Sequence, residues 1–132
     1  YFKNDIKGKT FGIWGLSFKP ETDDMREAPS INLIQSLINA GGVINAYDPK
    51  AIEEAKFYLK DYNVNYFNDK YSVLLQADVL VLVTEWKEFR SPDFNKIKKY
   101  MNGNLIVDGR NQYQKDFLED IGFKYLQIGV KG

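Results

Sequence analysis

The most constraining feature of the chain is a run of five apolar residues near its middle, Val79 to Val83, with no polar residue inside it. A strand with water on one side alternates apolar and polar residues, whereas a strand covered on both sides is apolar throughout. The run is also rich in β-branched residues, which favour strands over helices. It therefore predicts a strand from Val79 to Thr84 that is buried on both faces of a parallel sheet.

Short apolar runs alternate with amphipathic stretches along the rest of the chain. The further predicted strands are 10–14, 43–47, 63–67, 105–107 and 125–128, and the predicted helices are 29–39, 50–59, 70–76, 91–101 and 116–121. Such alternation implies right-handed crossovers and a sheet with helices on both faces. We therefore predict an α/β fold, a Rossmann-like three-layer sandwich with a mainly parallel sheet. The 132 residues suit a single domain, in which 1–8 would be the end of a preceding linker or helix.

The charge balance excludes several kinds of partner. Lys and Arg number 18 and so do Asp and Glu, so the formal net charge is 0. This balance argues against nucleic acid or an anionic membrane as a partner. The longest apolar run is too short to span a bilayer, and the start lacks the apolar segment of a signal peptide. We therefore expect a cytoplasmic protein.

The absence of two residue types constrains the chemistry further. The chain has no Cys and no His, which excludes a thiolate nucleophile, a Ser-His-Asp triad and the usual zinc ligands. Carboxylates, Lys and Tyr remain as acids or bases, and we expect no metal site. The chain begins without Met and leads directly into a strand, so we expect it to be a piece of a longer protein.

The connection over residues 15–28 is much longer than the usual loop of about 2–6 residues between a strand and a helix. It contains neither a dinucleotide glycine fingerprint nor a P-loop. Lys19 and Arg26 lie where a strand ends and a helix begins, and there two cations and a helix dipole would suit a phosphate. The alternative is that both cations pair with acidic residues of the same loop, which are Glu21, Asp23, Asp24 and Glu27.

The acidic residues of the loops have plain structural interpretations. Asp23 and Asp24 have no third ligand nearby in the sequence, so a cap or a salt bridge is a better account than a metal site. Asp48 stands where a dinucleotide fold places its ribose-binding acid. Without the glycine fingerprint, capping of the helix that begins near Pro49 explains it better.

Two further loops follow buried strands. Trp86 and Phe89 either stack a base, face a partner domain, or pack beneath the loop. Arg110 stands beside Gly109 just past a strand and has few evident structural duties, so its guanidinium could reach a phosphate or a sugar hydroxyl. The side chains of Tyr47, Tyr71, Tyr113 and Tyr125 are interpreted as ordinary half-buried aromatics.

Several motifs in order carry a family resemblance. They are Gly-Leu-Ser-Phe-Lys-Pro at 15–20, Thr-Asp-Asp-Met-Arg-Glu-Ala-Pro at 22–29, Ala-Tyr-Asp-Pro at 46–49, Ala-Asp at 77–78, Thr-Glu-Trp at 84–86 and Asp-Gly-Arg-Asn at 108–111. Together they closely resemble the C-terminal domain of the UDP-glucose/GDP-mannose dehydrogenase family, over about residues 7–129. The last two motifs most resemble the branch that oxidises UDP-glucose.

The resemblance implies a parent enzyme that oxidises UDP-glucose twice with two NAD to give UDP-glucuronate. It would combine an N-terminal NAD-binding domain, a central dimerising region and this UDP-sugar domain, as a homodimer. By the family's pattern, Phe18 and Lys19 contact the UDP-sugar, Arg110 contacts the substrate and Arg26 contacts NAD.

The resemblance also implies what this chain lacks. The family's catalytic Cys, its Lys and Asp helpers and its NAD fingerprint belong to the part that precedes this domain. We therefore expect the 132 residues alone to be inactive, and to bind a UDP-sugar weakly because the long loop must be ordered. Two alternatives stay open: the same domain of a UDP-N-acetylmannosamine or GDP-mannose dehydrogenase, and, more remotely, a receiver-like signalling module.

Overall fold

The computed structural model describes residues 6–17, 22–26, 28–110 and 112–127. Its strands are β1 (Thr10–Trp14), β2 (Val43–Tyr47), β3 (Val64–Tyr66), β4 (Val79–Leu82), β5 (Leu105–Asp108) and β6 (Lys124–Gln127). Its α-helices are α1 (Pro29–Asn39), α2 (Ile52–Tyr58), α3 (Phe94–Tyr100) and α4 (Lys115–Asp120). Two short 3₁₀ turns lie at Ser72–Leu74 and Lys87–Phe89.

The six strands form one sheet in the order β3-β2-β1-β4-β5-β6, and every pairing is parallel. The chain runs outward from β1 to β3, then crosses back to β4 and runs outward the other way. The order therefore reverses between β1 and β4, and ligands of open α/β sheets bind outside the carboxyl ends of the strands at such a reversal. The predicted Rossmann-like fold is confirmed.

Two apolar cores flank the sheet. The first contains residues of α1, α2 and one face of the strands, and the second contains residues of the 3₁₀ turns, α3, α4 and the opposite face. The strand β4 and the residue that follows it contribute to both cores, since Val79, Val81 and Val83 lie in the first core while Leu80 and Leu82 lie in the second. The prediction of a strand buried on both faces is thus confirmed.

Several predicted boundaries were wrong by a few residues. The predicted helix over 70–76 is only the 3₁₀ turn Ser72–Leu74, and β4 ends at Leu82 rather than at 84. The helix expected from 91 begins at Phe94, because Asp93 is its N-cap and accepts a hydrogen bond from the amide of Lys96 at 3.1 Å. In the ranges that the structure describes, no helix has the length and apolar character needed to span a membrane.

Candidate functional site

The loop after β1 crosses very close to the loop after β4 at the reversal point. Gly15 adopts a φ of +96°, and a Cβ atom placed on it would lie 2.5 Å from the Cβ of Thr84 and 2.6 Å from the Thr84 amide nitrogen. The amide of Gly15 donates to the carbonyl of Tyr47 at 2.8 Å. Only a residue without a side chain fits this crossing, which explains the glycine at the first position of the long connection.

The next two residues of that loop are held by buried side chains from three other segments. Asp48 Oδ2 accepts hydrogen bonds from the amides of Leu16 at 2.7 Å and Ser17 at 3.2 Å. The hydroxyl of Thr84 donates to the carbonyl of Ser17 at 2.8 Å, and the hydroxyl of Ser30 donates to the carbonyl of Leu16 at 2.6 Å. Hydrogen bonds from three other segments of the chain thus hold the first residues of the long connection, and the ordering of this connection on ligand binding stays a prediction.

Asp48 accepts more hydrogen bonds than its predicted role as a helix cap requires. Its Oδ1 accepts from the amides of Lys50 and Ala51, both at 2.8 Å, and so closes the turn that precedes α2. The helix itself begins at Ile52 with Ala51 at its N-cap, so Asp48 caps the turn and not the helix. Its Oδ2 also accepts from the indole Nε1 of Trp86 at 3.2 Å, a contact that the sequence analysis missed.

The far end of the long connection is fixed in a different way. Met25 is fully buried in the first core, and Asp24 accepts from the amide and the Nε of Arg26 at 3.0 and 3.1 Å. A second guanidinium nitrogen of Arg26 lies 3.0 Å from Asp24 Oδ2. The predicted alternative of pairing within the loop is thus realised for Arg26, yet its side chain stays 80% exposed and faces solvent. Phe18 and Lys19 lie outside the described residues.

Arg110 carries structural contacts that the sequence analysis did not expect. Its Nε donates to the carbonyl of Val83 at 2.9 Å and lies 3.2 Å from Glu85 Oε1. Its amide donates to Asp108 Oδ1 at 2.9 Å. The expectation of few structural duties was therefore wrong, because these contacts orient the guanidinium at the carboxyl end of β4.

A cavity of about 260 Å³ lies between α1 and the ends of β4 and β5. It is lined by Pro29, Leu33, Val81, Leu82, Val83, Gly109 and Arg110. Pro29 opens α1, whose N-cap has no side-chain hydrogen bond and whose first turn has no acidic residue. Arg110 and the helix start that ends the long connection thus share one hollow.

Asp108 organises the loop that carries Arg110. It is fully buried, and its Oδ2 accepts from the amides of Gln112 and Tyr113 at 2.6 and 2.9 Å and from the hydroxyl of Tyr125 at 2.6 Å. Burial, together with this hydrogen bond, raises the pKa of Tyr125 to about 12. Tyr113 and Tyr125 are buried and not half-buried as expected.

The aromatic residues after β4 belong to the core. Trp86 is 5% exposed and Phe89 is fully buried, with its ring stacked on Trp14 at 4.8 Å between centroids. Of the three interpretations offered by the sequence, the structure supports packing beneath the loop, since neither ring has a face free for a base. Within the described ranges, no group of three acidic side chains lies close enough together to hold a metal ion.

Comparisons with known proteins agree with these features. The family described as UDP-glucose/GDP-mannose dehydrogenase, UDP binding domain, matches residues 12–115. A UDP-glucose 6-dehydrogenase of Rhizobium meliloti is 42% identical over 125 residues, which are 95% of this chain and 28% of that protein. The chain thus spans less than a third of that relative. The family resemblance inferred from the motifs is confirmed.

Solved structures give the same result. A UDP-glucose dehydrogenase from Pyrobaculum islandicum superposes with a TM-score of 0.76 at 28% identity, covering 94% of this chain and 26% of that one. A UDP-D-ManNAc dehydrogenase from Pyrococcus horikoshii superposes with a TM-score of 0.73 at 26% identity, covering 96% and 26%.

Proposed function

Because the chain belongs to the UDP-glucose/GDP-mannose dehydrogenase family, in which it matches the UDP-binding domain, we propose that it holds the UDP part of a nucleotide sugar at the carboxyl edge of its sheet. The observation that carries this proposal is the hollow shared by Arg110 and the start of α1. A diphosphate needs positive charge, which the guanidinium of Arg110 supplies, and the dipole at the start of α1 also favours an anion there.

Arg110 is the described residue to which we assign contact with the diphosphate-linked sugar. Its Nε is engaged by Val83 and Glu85, so the side chain enters the hollow in a defined orientation. Phe18 and Lys19, which belong to the connection that starts at Gly15, are proposed to contact the same ligand. Their role stays a prediction.

We propose UDP-glucose as the sugar nucleotide, because the Rhizobium meliloti relative is a UDP-glucose 6-dehydrogenase and 42% identical. The parent enzyme would then oxidise UDP-glucose twice to UDP-glucuronate. It would be a cytoplasmic homodimer in which N-terminal and central domains complete the site. A UDP-N-acetylmannosamine substrate is the second candidate, since the Pyrococcus horikoshii structure is of such an enzyme at 26% identity.

NAD is the proposed cofactor, and it would accept the hydride in each oxidation. The described residues fit an outer contact with it rather than a complete site. Arg26 presents a guanidinium that is 80% exposed and oriented by Asp24, which suits an anionic group held by another domain. The segment Gly12–Gly15 is no dinucleotide fingerprint, so most contacts with NAD would come from the N-terminal domain.

Calorimetric titration of the 132-residue chain with UDP tests the proposal. We expect UDP to bind in preference to UMP and GDP, and Arg110→Ala to weaken UDP binding by about 10- to 100-fold, as for a lost charge-assisted contact. Arg90→Ala is the matched control, because Arg90 is exposed and borders a different hollow with Pro92 and Phe117. Equal affinity of the Arg110 and Arg90 variants would contradict the assignment.

The same chain gives a second test with NAD and UDP-glucose. With no Cys it lacks the thiol that the family uses, so we expect no NADH absorbance above a control without protein. The full-length enzyme should turn over UDP-glucose faster than UDP-N-acetylmannosamine or GDP-mannose, and the reverse order would favour the second candidate.

A further inference from the structure

Asp48 is a buried carboxylate whose hydrogen bonds come from three separate loops. The residue is 2% exposed, and among the described residues no Lys or Arg forms an ion pair with it. A single oxygen, Oδ2, accepts from Leu16 and Ser17 of the loop after β1 and from Trp86 of the loop after β4. The other oxygen closes the loop after β2.

Such a carboxylate constrains its donors. A buried charge without a counter-ion is tolerated only when hydrogen bonds replace its water, so the donors must keep their positions for the fold to be stable. Leu16 and Ser17 therefore cannot rotate away from Asp48 without depriving its buried Oδ2 of two hydrogen-bond donors. These two residues come directly before Phe18 and Lys19, the residues proposed above to contact the sugar nucleotide.

We propose that Asp48 is a positioning residue that holds Leu16 and Ser17, the residues that lead into the proposed ligand contacts, in place before the ligand arrives. This inference rests on the proposed function. A loop that is fixed in advance loses less conformational freedom on binding, and the ligand is bound more tightly. Asp48 acts through Leu16 and Ser17, and it is not assigned a contact with the ligand.

The direction in which one substitution changes UDP affinity separates this role from a purely electrostatic one. Asp48→Asn removes a negative charge, which by charge alone would strengthen the binding of an anionic ligand. The amide also replaces one acceptor oxygen by a donor group, so at least one loop loses its hydrogen bond and becomes mobile. We therefore expect Asp48→Asn to weaken UDP binding, by about 5- to 100-fold.

The ligand-free chain offers a direct readout of the loop. Hydrogen exchange of the Leu16 and Ser17 amides should accelerate at least about tenfold in Asp48→Asn. The indole Nε1–H resonance of Trp86 should shift, because its acceptor changes. The indole of Trp14 is the internal control, since it donates to the carbonyl of Lys70 at 2.8 Å.

Asp69→Asn is the matched control variant. Asp69 accepts from the amides of Tyr71 and Ser72 at 3.1 and 2.8 Å, in an exposed turn that is not bonded to the loop after β1. We expect a lower melting temperature with unchanged UDP affinity and unchanged exchange at Leu16 and Ser17. If Asp48→Asn does not fold, Trp86→Phe removes one donor to Oδ2 and should still accelerate exchange at Leu16 and Ser17, by about twofold or more.

The results separate the two proposals. Unchanged exchange at Leu16 and Ser17 in both Asp48→Asn and Trp86→Phe overturns the positioning role whether or not UDP binds. Accelerated exchange at Leu16 and Ser17 in Asp48→Asn, combined with a UDP affinity that equals or exceeds that of the wild type, also overturns it. Failure of the wild-type chain to bind UDP overturns the proposed function, while the exchange measurement still decides the role of Asp48 in the loop.

Discussion

Substituting Gly15 by alanine tests the crossing of the two loops at the reversal point. At a φ of +96°, a Cβ costs roughly 1–2 kcal/mol in backbone strain. The new atom would also lie 2.5 Å from the Thr84 Cβ and 2.6 Å from its amide nitrogen, and this main-chain neighbour must move. Overpacking of that kind costs about 1–3 kcal/mol more, so we expect a loss of about 2–5 kcal/mol.

Gly8→Ala provides the matched control. Gly8 has a φ of +79°, but no atom lies within 4 Å of a Cβ placed there, so this variant carries only the strain of about 1–2 kcal/mol. For a domain of this size, each kcal/mol corresponds to about 3–5 °C in melting temperature. Circular dichroism should therefore show a fall of about 6–25 °C for Gly15→Ala and about 3–10 °C for Gly8→Ala.

Urea unfolding of the same variants gives the free energy independently and shows whether the denatured state has changed. If Gly15→Ala and Gly8→Ala lose the same stability with the same urea dependence, the close approach to Thr84 is absent and the reasoning is refuted. A loss confined to Gly15→Ala in UDP affinity, without a loss in stability, would also contradict it.

Four further predictions follow from individual contacts. Tyr66→Phe should leave stability unchanged or raise it by up to about 1 kcal/mol at pH 7 in urea unfolding, because the buried Tyr66 hydroxyl has no hydrogen-bond partner among the described residues. Burial raises the pKa of Tyr66 from 10.0 to about 12, so the folded state holds this proton more tightly than the unfolded state does. The resulting stabilisation is complete below pH 10 and is lost as the pH rises to about 12, so the melting temperature should fall less steeply across that range in Tyr66→Phe than in the wild type. Arg110→Lys keeps the charge but loses the Nε contacts with Val83 and Glu85, so titration should give about tenfold weaker UDP binding, and wild-type affinity would refute the role of orientation. Asp108→Asn removes the charged acceptor of the Tyr125 hydroxyl, so an ultraviolet titration should show the Tyr125 pKa moving from about 12 toward 10, with an unchanged pKa counting against the contact.

The arrangement of the fold was largely predictable because it follows from local patterns. The uninterrupted run at 79–83 predicts a strand buried on both faces, and the alternation of elements predicts the parallel sheet. Boundaries were less predictable, since Ser91 and Pro92 resemble a helix start while the cap is in fact Asp93. A competing cap two residues away leaves no mark in the hydrophobic pattern.

The site was only partly predictable, because its decisive contacts are distant in sequence. The turn closed by Asp48 Oδ1 is local and was anticipated as a cap, whereas the partners of Oδ2 are 31 to 38 residues away. The sequence marked Arg110 as a candidate but not its contact with the carbonyl of Val83, 27 residues earlier. Only the register of β4 against β5 brings these two residues together.

The hydrogen bonds that Leu16 and Ser17 form with Asp48 and Thr84 have a consequence for how the protein folds. Asp48 is 32 residues from Leu16, and Thr84 is 67 residues from Ser17, so no short segment can form these contacts on its own. Contacts between residues so distant in sequence form slowly, and these contacts can form only after β1, β2 and β4 are aligned. The loops at the carboxyl ends of these strands are thus expected to take their final structure late in folding and to unfold together with the whole sheet. A bound nucleotide would therefore slow global unfolding.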